Sequence, residues 1–178
     1  FDPHVWMDVR RWKVVAGAVA ETLAALDPTH ADTYRENLSA YHVRLDSLEA
    51  DVRARLEAVP EGRRVLITAH DAFGYFGDAY GFEVRGLQGL SPPTEAGTAD
   101  VRALADFVAE RGIPAMFVES SVSPRSSEAV REAVRARGFA VEIGGNLFSD
   151  ALGDAGTPEG TYEGMVRHNV EAVVSDHA

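Results

Sequence analysis

The sequence contains no cysteine, and that absence removes two kinds of chemistry. A chain without thiols can form neither a disulfide framework nor a metal site built on thiolates. Any metal ion would have to be held by the side chains of histidine, aspartate and glutamate. The missing cysteines leave the cellular compartment open.

Positive charge is scarce as well. Lysine and arginine together number 17 against 28 aspartates and glutamates, so the formal net charge at pH 7 is −11. Binding a nucleic-acid backbone requires clustered lysine and arginine, and the sequence has no basic stripe. The acidic balance therefore argues against a nucleic-acid partner and is more compatible with a cationic ligand.

Long apolar runs are also missing. The longest one, Val14 to Ala20, includes Gly17 and is far shorter than the roughly 20 residues of a membrane span. The apolar content of 46% over 178 residues nevertheless suffices for one folded domain with a buried core. The chain starts at Phe1 without a methionine or a signal-peptide pattern, so we expect it to be part of a longer protein.

Two helices are predicted at the start of the chain. Over residues 9–26 the apolar positions recur every three or four residues, the period of one helix face. Asp27-Pro28 ends this helix and begins a second one, because proline is favoured at the first helical position. The second pattern, over residues 28–60, has one narrow apolar stripe on roughly 30 residues, which would span about 45 Å. Such a helix could connect two lobes, and a coiled-coil seam is the alternative.

After Gly62 the pattern changes to short apolar runs that alternate with helical stretches, as is typical of βαβ units. We therefore predict an α/β fold with a mainly four-stranded parallel sheet flanked by helices. The predicted strands are Val65–Thr68, Glu83–Leu87, Ala115–Val118 and Ala140–Ile143. The predicted helices are Ala72–Tyr80, Ala99–Arg111, Pro124–Arg137 and Tyr162–Ser175. Two long segments between them, Gly86–Gly97 and Gly144–Gly160, are predicted to be functional or mobile loops.

Side chains that are able to bind a metal ion lie at the ends of three of the predicted strands. His70 follows the first strand, Glu119 closes the third and Asp150 follows the fourth. In an open parallel sheet, ligands collect beyond the carboxyl ends of the strands. His4, between Pro3 and Trp6, is a fourth candidate from outside the sheet. Imidazoles and carboxylates without thiolates favour Zn²⁺ or Mn²⁺, whereas oxygen ligands alone would favour Ca²⁺ or Mg²⁺. The other histidines are interpreted as surface or packing residues: His30, His42, His168 and His177.

Four motifs that contain these candidates occur in an order typical of one family. The sequence resembles the metal-binding receptors of zinc and manganese ABC transporters, the TroA-like solute-binding proteins. The resemblance covers the whole chain as the latter part of such a receptor. The motifs are Asp2-Pro3-His4-Val5-Trp6, Thr68-Ala69-His70-Asp71-Ala72-Phe73-Gly74-Tyr75-Phe76, Phe117-Val118-Glu119-Ser120-Ser121 and Leu147-Phe148-Ser149-Asp150.

The resemblance implies two α/β lobes that are joined by one long rigid helix and hold the metal between them. Residues 1–27 would then be a remnant of the amino-terminal lobe, 28–60 the interlobe helix and 61–178 the carboxy-terminal lobe.

The resemblance also assigns roles to the candidate residues. His4, His70 and Asp150 would be metal ligands, and Glu119 would orient a ligand or hold a backbone turn. The family's first histidine ligand lies in an early part of the amino-terminal lobe that this sequence does not contain. The three ligands would leave one position open to water, so we expect weaker metal binding than in an intact receptor. The choice between zinc and manganese stays open.

The implied function is an extracytoplasmic receptor, periplasmic or a lipoprotein on the outer face of the cytoplasmic membrane. It would capture Zn²⁺ or Mn²⁺ and deliver the ion to an ABC permease, without catalysing a reaction. One alternative is a metal-dependent hydrolase with Glu119 as general base. Another is a surface adhesin whose metal only stabilises the fold. Without the rest of the first lobe, apolar surface around the first helix would be uncovered, and dimerisation or rearrangement of this chain is expected there.

Overall fold

A computed structural model describes residues 1–89, 97–121, 123 and 125–177. Within these residues the chain has a mixed α/β fold, which confirms the predicted class. The helices are α1 (Val9–Leu26), α2 (Ala31–Leu56), α3 (Gly74–Tyr80), α4 (Thr98–Arg111), α5 (Arg125–Arg135) and α6 (Tyr162–His177). The strands are β1 (Val65–His70), β2 (Glu83–Gln88), β3 (Ala115–Glu119) and β4 (Glu142–Leu147).

The two amino-terminal helices lie close to their predicted bounds. The carboxylate of Asp8 accepts a hydrogen bond from the backbone N–H of Arg10 and caps α1. A 3₁₀ turn over Pro28–His30 separates α1 from α2, so α2 begins three residues later than the predicted helix. The 26 residues of α2 span about 39 Å. Since α2 packs on both α1 and α6, its apolar stripe contacts two shorter helices instead of one long coiled-coil partner.

The four strands are parallel, but they are hydrogen-bonded as two pairs rather than as one sheet. Strand β1 pairs with β2, and β3 pairs with β4. Strand β1 lies beside β3, and no backbone ladder joins the two in the part of the chain that the structure describes. At the carboxyl ends, the side chain of Glu119 takes the hydrogen bond from the backbone N–H of His70. A side-chain hydrogen bond thus links the carboxyl ends of β1 and β3.

Strand β4 lies further along the chain than the predicted strand Ala140–Ile143. It begins at Glu142 and continues through Gly144 and Gly145, the residues at which a loop was predicted to start. The reason is contact with α6: a Cβ atom on Gly145 would lie 2.9 Å from the Cβ atom of Ala172. In addition, the N–H of Gly145 donates to the carboxylate of Asp176 at 2.8 Å. These glycines permit close packing within a strand, so the loop after β4 is shorter than predicted.

The core forms two clusters, one on each side of the strands. The first contains the buried stripe of α2 together with residues of α3 and α6, including Leu45, Leu48, Val52, Phe76 and Val170. The second lies between the strands and helices α4 and α5, and includes Ile67, Leu104, Val108, Met116 and Val130. Both clusters leave the carboxyl ends of β1, β3 and β4 available for polar side chains.

Two of the predictions fall outside the described residues, in part or in whole. Most of the predicted loop Gly86–Gly97 and Pro124, the predicted first residue of α5, lie there. Among the residues that are described, none of the helices combines the length and the hydropathy that a bilayer span requires.

Candidate metal centre

His4 lies in the turn that precedes α1, with only 2% of its surface exposed. One oxygen of Asp2, Oδ1, accepts the backbone N–H of His4 at 2.9 Å and lies 2.7 Å from Nδ1 of the same residue. The ring packs edge-on against Trp6, with 5.3 Å between the ring centroids. These contacts hold Nδ1 against the carboxylate and direct Nε2 to the opposite side of the ring.

His70 is the last residue of β1 and is fully buried. Glu119, the last residue of β3, accepts its backbone N–H through Oε1 at 2.8 Å. The other oxygen, Oε2, lies 2.6 Å from Nδ1 of the ring, a short ion-pair distance without the alignment of a hydrogen bond. A Cβ atom on Gly86 of β2 would lie 2.6 Å from the backbone nitrogen of Asp71, so glycine is needed there for β2 to close against this strand end.

Asp150 follows β4, and 30% of its side chain is exposed. The loop that carries it is held by three neighbours. Asn169 of α6 makes two hydrogen bonds with the backbone of Phe148, at 2.9 and 2.8 Å. The indole N–H of Trp6 donates to the carbonyl of Ser149 at 2.9 Å, and the hydroxyl of Ser149 pairs with that of Ser121 at 2.8 Å. Asp150 is therefore placed by contacts from both ends of the chain.

The three side chains converge on one point. Nε2 of His4 lies 3.3 Å from Oδ1 of Asp150, and Nε2 of His70 lies 3.4 Å from Oδ2 of Asp150. The candidate ligand atoms all lie within 4.8 Å of one another. Two ligands bound to a tetrahedral ion at about 2.0–2.1 Å would be roughly 3.3 Å apart. The spacing thus fits a divalent cation held by two imidazoles and a carboxylate.

Unmet bonding capacity at His70 supports the same conclusion. Its buried Nε2 has no hydrogen-bond partner within the described residues. A buried polar atom without a partner is costly, and functional sites are where such atoms occur. Burial alone would lower the pKa of His70, but the neighbouring Glu119 carboxylate, with Asp150 and Asp71 adding to it, raises that pKa above its ordinary value. These carboxylates therefore favour a proton on this ring.

Among the described residues, the predicted ligands lie together, whereas the other four histidines make contacts elsewhere. Glu119 lies behind His70, on the Nδ1 side of its ring. The remaining histidines contact Asp27 (His30), the carbonyl of Lys13 (His42), the carbonyl of Asn146 (His168), and the carbonyls of Val173 and Val65 (His177). Sequence reasoning gave no role to Asp2, although it is the first residue of the Asp-Pro-His motif. The signal that could have indicated its contact with His4 is its position two residues before that histidine.

Two histidines and one carboxylate that converge at the strand ends of an α/β fold are the arrangement expected of a metal-binding α/β protein. The chain belongs to the family described as ZnuA, zinc-uptake complex component A, periplasmic, which matches residues 1–175. This is a family of metal-binding transport receptors, and the resemblance stated from the motifs is confirmed.

Individual relatives agree with the family. The zinc-binding protein TroA of Treponema pallidum (strain Nichols) is 54% identical over 175 residues, which cover 98% of this chain and 57% of the relative. The manganese-binding lipoprotein MntA of Bacillus subtilis (strain 168) is 47% identical over 173 residues, which cover 97% of this chain and 56% of the relative.

A solved structure of the periplasmic zinc-binding protein TroA from Treponema pallidum superposes with a TM-score of 0.97 at 53% identity. The match covers 100% of this chain and 64% of that one. The chain therefore spans rather more than half the length of the relatives that it matches.

Proposed function

We propose that this chain is part of an extracytoplasmic receptor that binds Zn²⁺ or Mn²⁺ and delivers the ion to an ABC permease. The observation that carries the proposal is the convergence of His4, His70 and Asp150, with ligand atoms within 4.8 Å of one another. The relatives support it, since one is named a zinc-binding protein and another a manganese-binding lipoprotein. The metal ion is cargo, so the site has to release it as well as bind it.

The ligands in this proposal are His4, His70 and Asp150, with Glu119 holding His70 in place. Both imidazoles are buried, whereas the Asp150 side chain is 30% exposed. The ion would therefore enter and leave from the Asp150 side. Three side chains leave one position of a tetrahedral ion to water. This chain alone should accordingly bind metal more weakly than a full-length receptor does.

The domain division is part of the proposal. Residues 1–27 would be a remnant of the amino-terminal lobe, 28–60 the interlobe helix and 61–178 the carboxy-terminal lobe. This division is supported by an apolar groove of about 400 Å³ between α1 and α2, since an uncovered apolar surface is expected where the rest of a lobe would pack. The groove is lined by residues such as Trp12, Val19, Leu23, Leu38 and Tyr41. As an isolated polypeptide, the chain should self-associate through this groove, and sedimentation at several concentrations would show it.

We also propose that the chain catalyses no reaction. In the hydrolase alternative, Glu119 would have to act as general base on a metal-bound water. Its carboxylate is instead enclosed, with one oxygen on the backbone of His70 and the other beside Nδ1, on the ring side away from Asp150. No observation favours the adhesin alternative.

Competitive chelator titrations with Zn²⁺ and Mn²⁺ test the site. Loss of a residue that only hydrogen-bonds a metal ligand typically lowers metal affinity by roughly 10–100-fold. His70→Ala and Asp150→Ala remove a ligand itself, so we expect a larger loss of metal affinity in both variants. The control is His30→Ala, which removes an exposed histidine that contacts only Asp27 and Tyr34 in the described contacts. Circular dichroism would show that each variant is folded. Unchanged affinity in both site variants would contradict the proposal.

A further inference from the structure

We propose that Asp2 is a positioning residue that keeps the proton of the neutral His4 ring on Nδ1 and thereby leaves Nε2 free to bind the metal. This inference rests on the proposed metal site and adds to it a residue that acts through a ligand. Its basis is the single oxygen Oδ1 of Asp2, which is 2.7 Å from Nδ1 and 2.9 Å from the backbone nitrogen of His4.

The chemistry of the two partners decides which nitrogen carries the proton. An ionised carboxylate only accepts hydrogen bonds, so Nδ1 must be the donor in this contact. Nδ1 is the ring nitrogen that has a hydrogen bond, whereas Nε2 makes only an ion-pair contact with Asp150. A neutral imidazole with its proton on Nδ1 presents the lone pair of Nε2. That lone pair lies on the Asp150 side, since Nε2 is 3.3 Å from Oδ1 of Asp150. The negative charge of Asp2 also makes the ring a stronger ligand.

The position of Asp2 depends on the segment that follows His70. The hydroxyl of Tyr75 donates to the carbonyl of Asp2 at 3.3 Å. Gly74, the first residue of α3, lies so close that a Cβ atom on it would be 3.1 Å from Oδ2 of Asp2. The same stretch of chain that leaves β1 after His70 therefore holds the carboxylate that orients His4. The two imidazoles are set relative to each other through Asp2.

Two substitutions separate the charge of Asp2 from its hydrogen bonds. Asp2→Asn keeps a side-chain oxygen that can accept from both the backbone N–H and the ring Nδ1–H of His4, but it removes the charge. Asp2→Ala removes both. Asp78→Asn is the matched control, because Asp78 is an exposed carboxylate on α3. Circular dichroism of the whole chain would check that each variant is folded.

The first readout needs no metal. Long-range ¹H–¹⁵N NMR near neutral pH reports which ring nitrogen of His4 is protonated, and the spectrum of His4→Gln assigns the signal. We expect the Nδ1–H tautomer in the parent chain and in Asp78→Asn, and an increased share of the Nε2–H tautomer in both Asp2 variants. The second readout is Zn²⁺ affinity by chelator competition. We expect a loss of about 10–100-fold in Asp2→Ala, a smaller but measurable loss in Asp2→Asn, and none in Asp78→Asn.

The proposal is overturned if Asp2→Ala matches the parent chain in both tautomer and Zn²⁺ affinity, because Asp2 would then have no influence on the ring. It is also overturned if His4 is the Nε2–H tautomer in the parent chain. If instead His70→Ala and Asp150→Ala leave Zn²⁺ affinity unchanged, the proposed metal site fails. The metal-free tautomer measurement would still decide the relation between Asp2 and His4.

Discussion

The two histidines of the site face the same point from very different surroundings. His70 and its partner Glu119 both end buried strands, and neither side chain is exposed. His4 lies in a turn before the first helix, and 24% of its partner Asp2 is exposed. Glu119 uses one oxygen for the backbone and the other for the ring, whereas Asp2 uses one oxygen for both. The His70 side of the candidate site is therefore held by more buried contacts than the His4 side. We expect its residues to matter for folding as well as for metal binding.

The largest difference between the two sides of the site should appear in the free energy of unfolding, when the carboxylate of Glu119 or that of Asp2 is removed. Glu119→Ala leaves the buried N–H of His70 without a partner and also removes the carboxylate beside its buried ring. An unsatisfied buried N–H alone costs about 1–3 kcal/mol, and the loss of a buried ion-pair partner about 3–5 kcal/mol. Asp2→Ala should cost less than about 1.5 kcal/mol, because water can reach the partly exposed site and replace its hydrogen bonds. Urea unfolding of both variants without metal measures the difference. Equal free energies of unfolding would show that the two sides of the site are alike in stability.

The pH dependence of stability and of Zn²⁺ affinity tests the surroundings of His70. Since the folded chain raises the pKa of His70, protonation of this ring stabilises the metal-free fold at low pH. That contribution is lost as the pH rises through the folded pKa. Metal binding requires the neutral ring and has the opposite dependence. Zn²⁺ affinity should thus fall with decreasing pH through the raised pKa, by up to about tenfold per pH unit.

The matched variant for this series is Glu119→Gln. Removing the carboxylate that raises the pKa of His70 should move the decline in Zn²⁺ affinity to lower pH, whatever the affinity at high pH. His30→Gln should leave the profile unchanged, because His30 lies outside the site. An identical profile in the parent chain and in Glu119→Gln would mean that Glu119 does not govern the protonation of His70.

The smallest loss of stability and of Zn²⁺ affinity is expected from Trp6, which links the His4 turn to the loop that carries Asp150. Trp6→Phe keeps an aromatic ring beside His4 but removes the hydrogen bond from the indole to the carbonyl of Ser149. We expect a loss of about 0.5–1.5 kcal/mol in stability and a Zn²⁺ affinity a few-fold lower, since the Asp150 loop is less firmly held. Trp12→Phe is the control, because its indole donates to the hydroxyl of Tyr41 and not to the backbone of the Asp150 loop. Equal Zn²⁺ affinities in the two variants would show that the indole of Trp6 does not support the site.

Local patterns predicted most of the helices, but they failed where packing across the fold matters. The periodicity of residues 9–26 predicted α1 to the residue, because the amphipathic spacing and the following Asp27-Pro28 are local signals. Gly144 and Gly145 predicted a loop because glycine is common in loops. In the structure they belong to β4, where the absence of side chains allows α6 to approach. The apolar periodicity of one segment does not show which distant helix will pack against it.

The sequence by itself determined the α/β class, the long second helix and the three candidate ligands, because residue type, spacing and motif order are all written along the chain. Only the tertiary structure decided that the strands form two pairs and that His4 meets His70 and Asp150, residues far apart in the chain. It also decided the partners of the two rings, Asp2 and Glu119. Side-chain direction and burial arise from packing, and packing depends on residues that are distant in sequence.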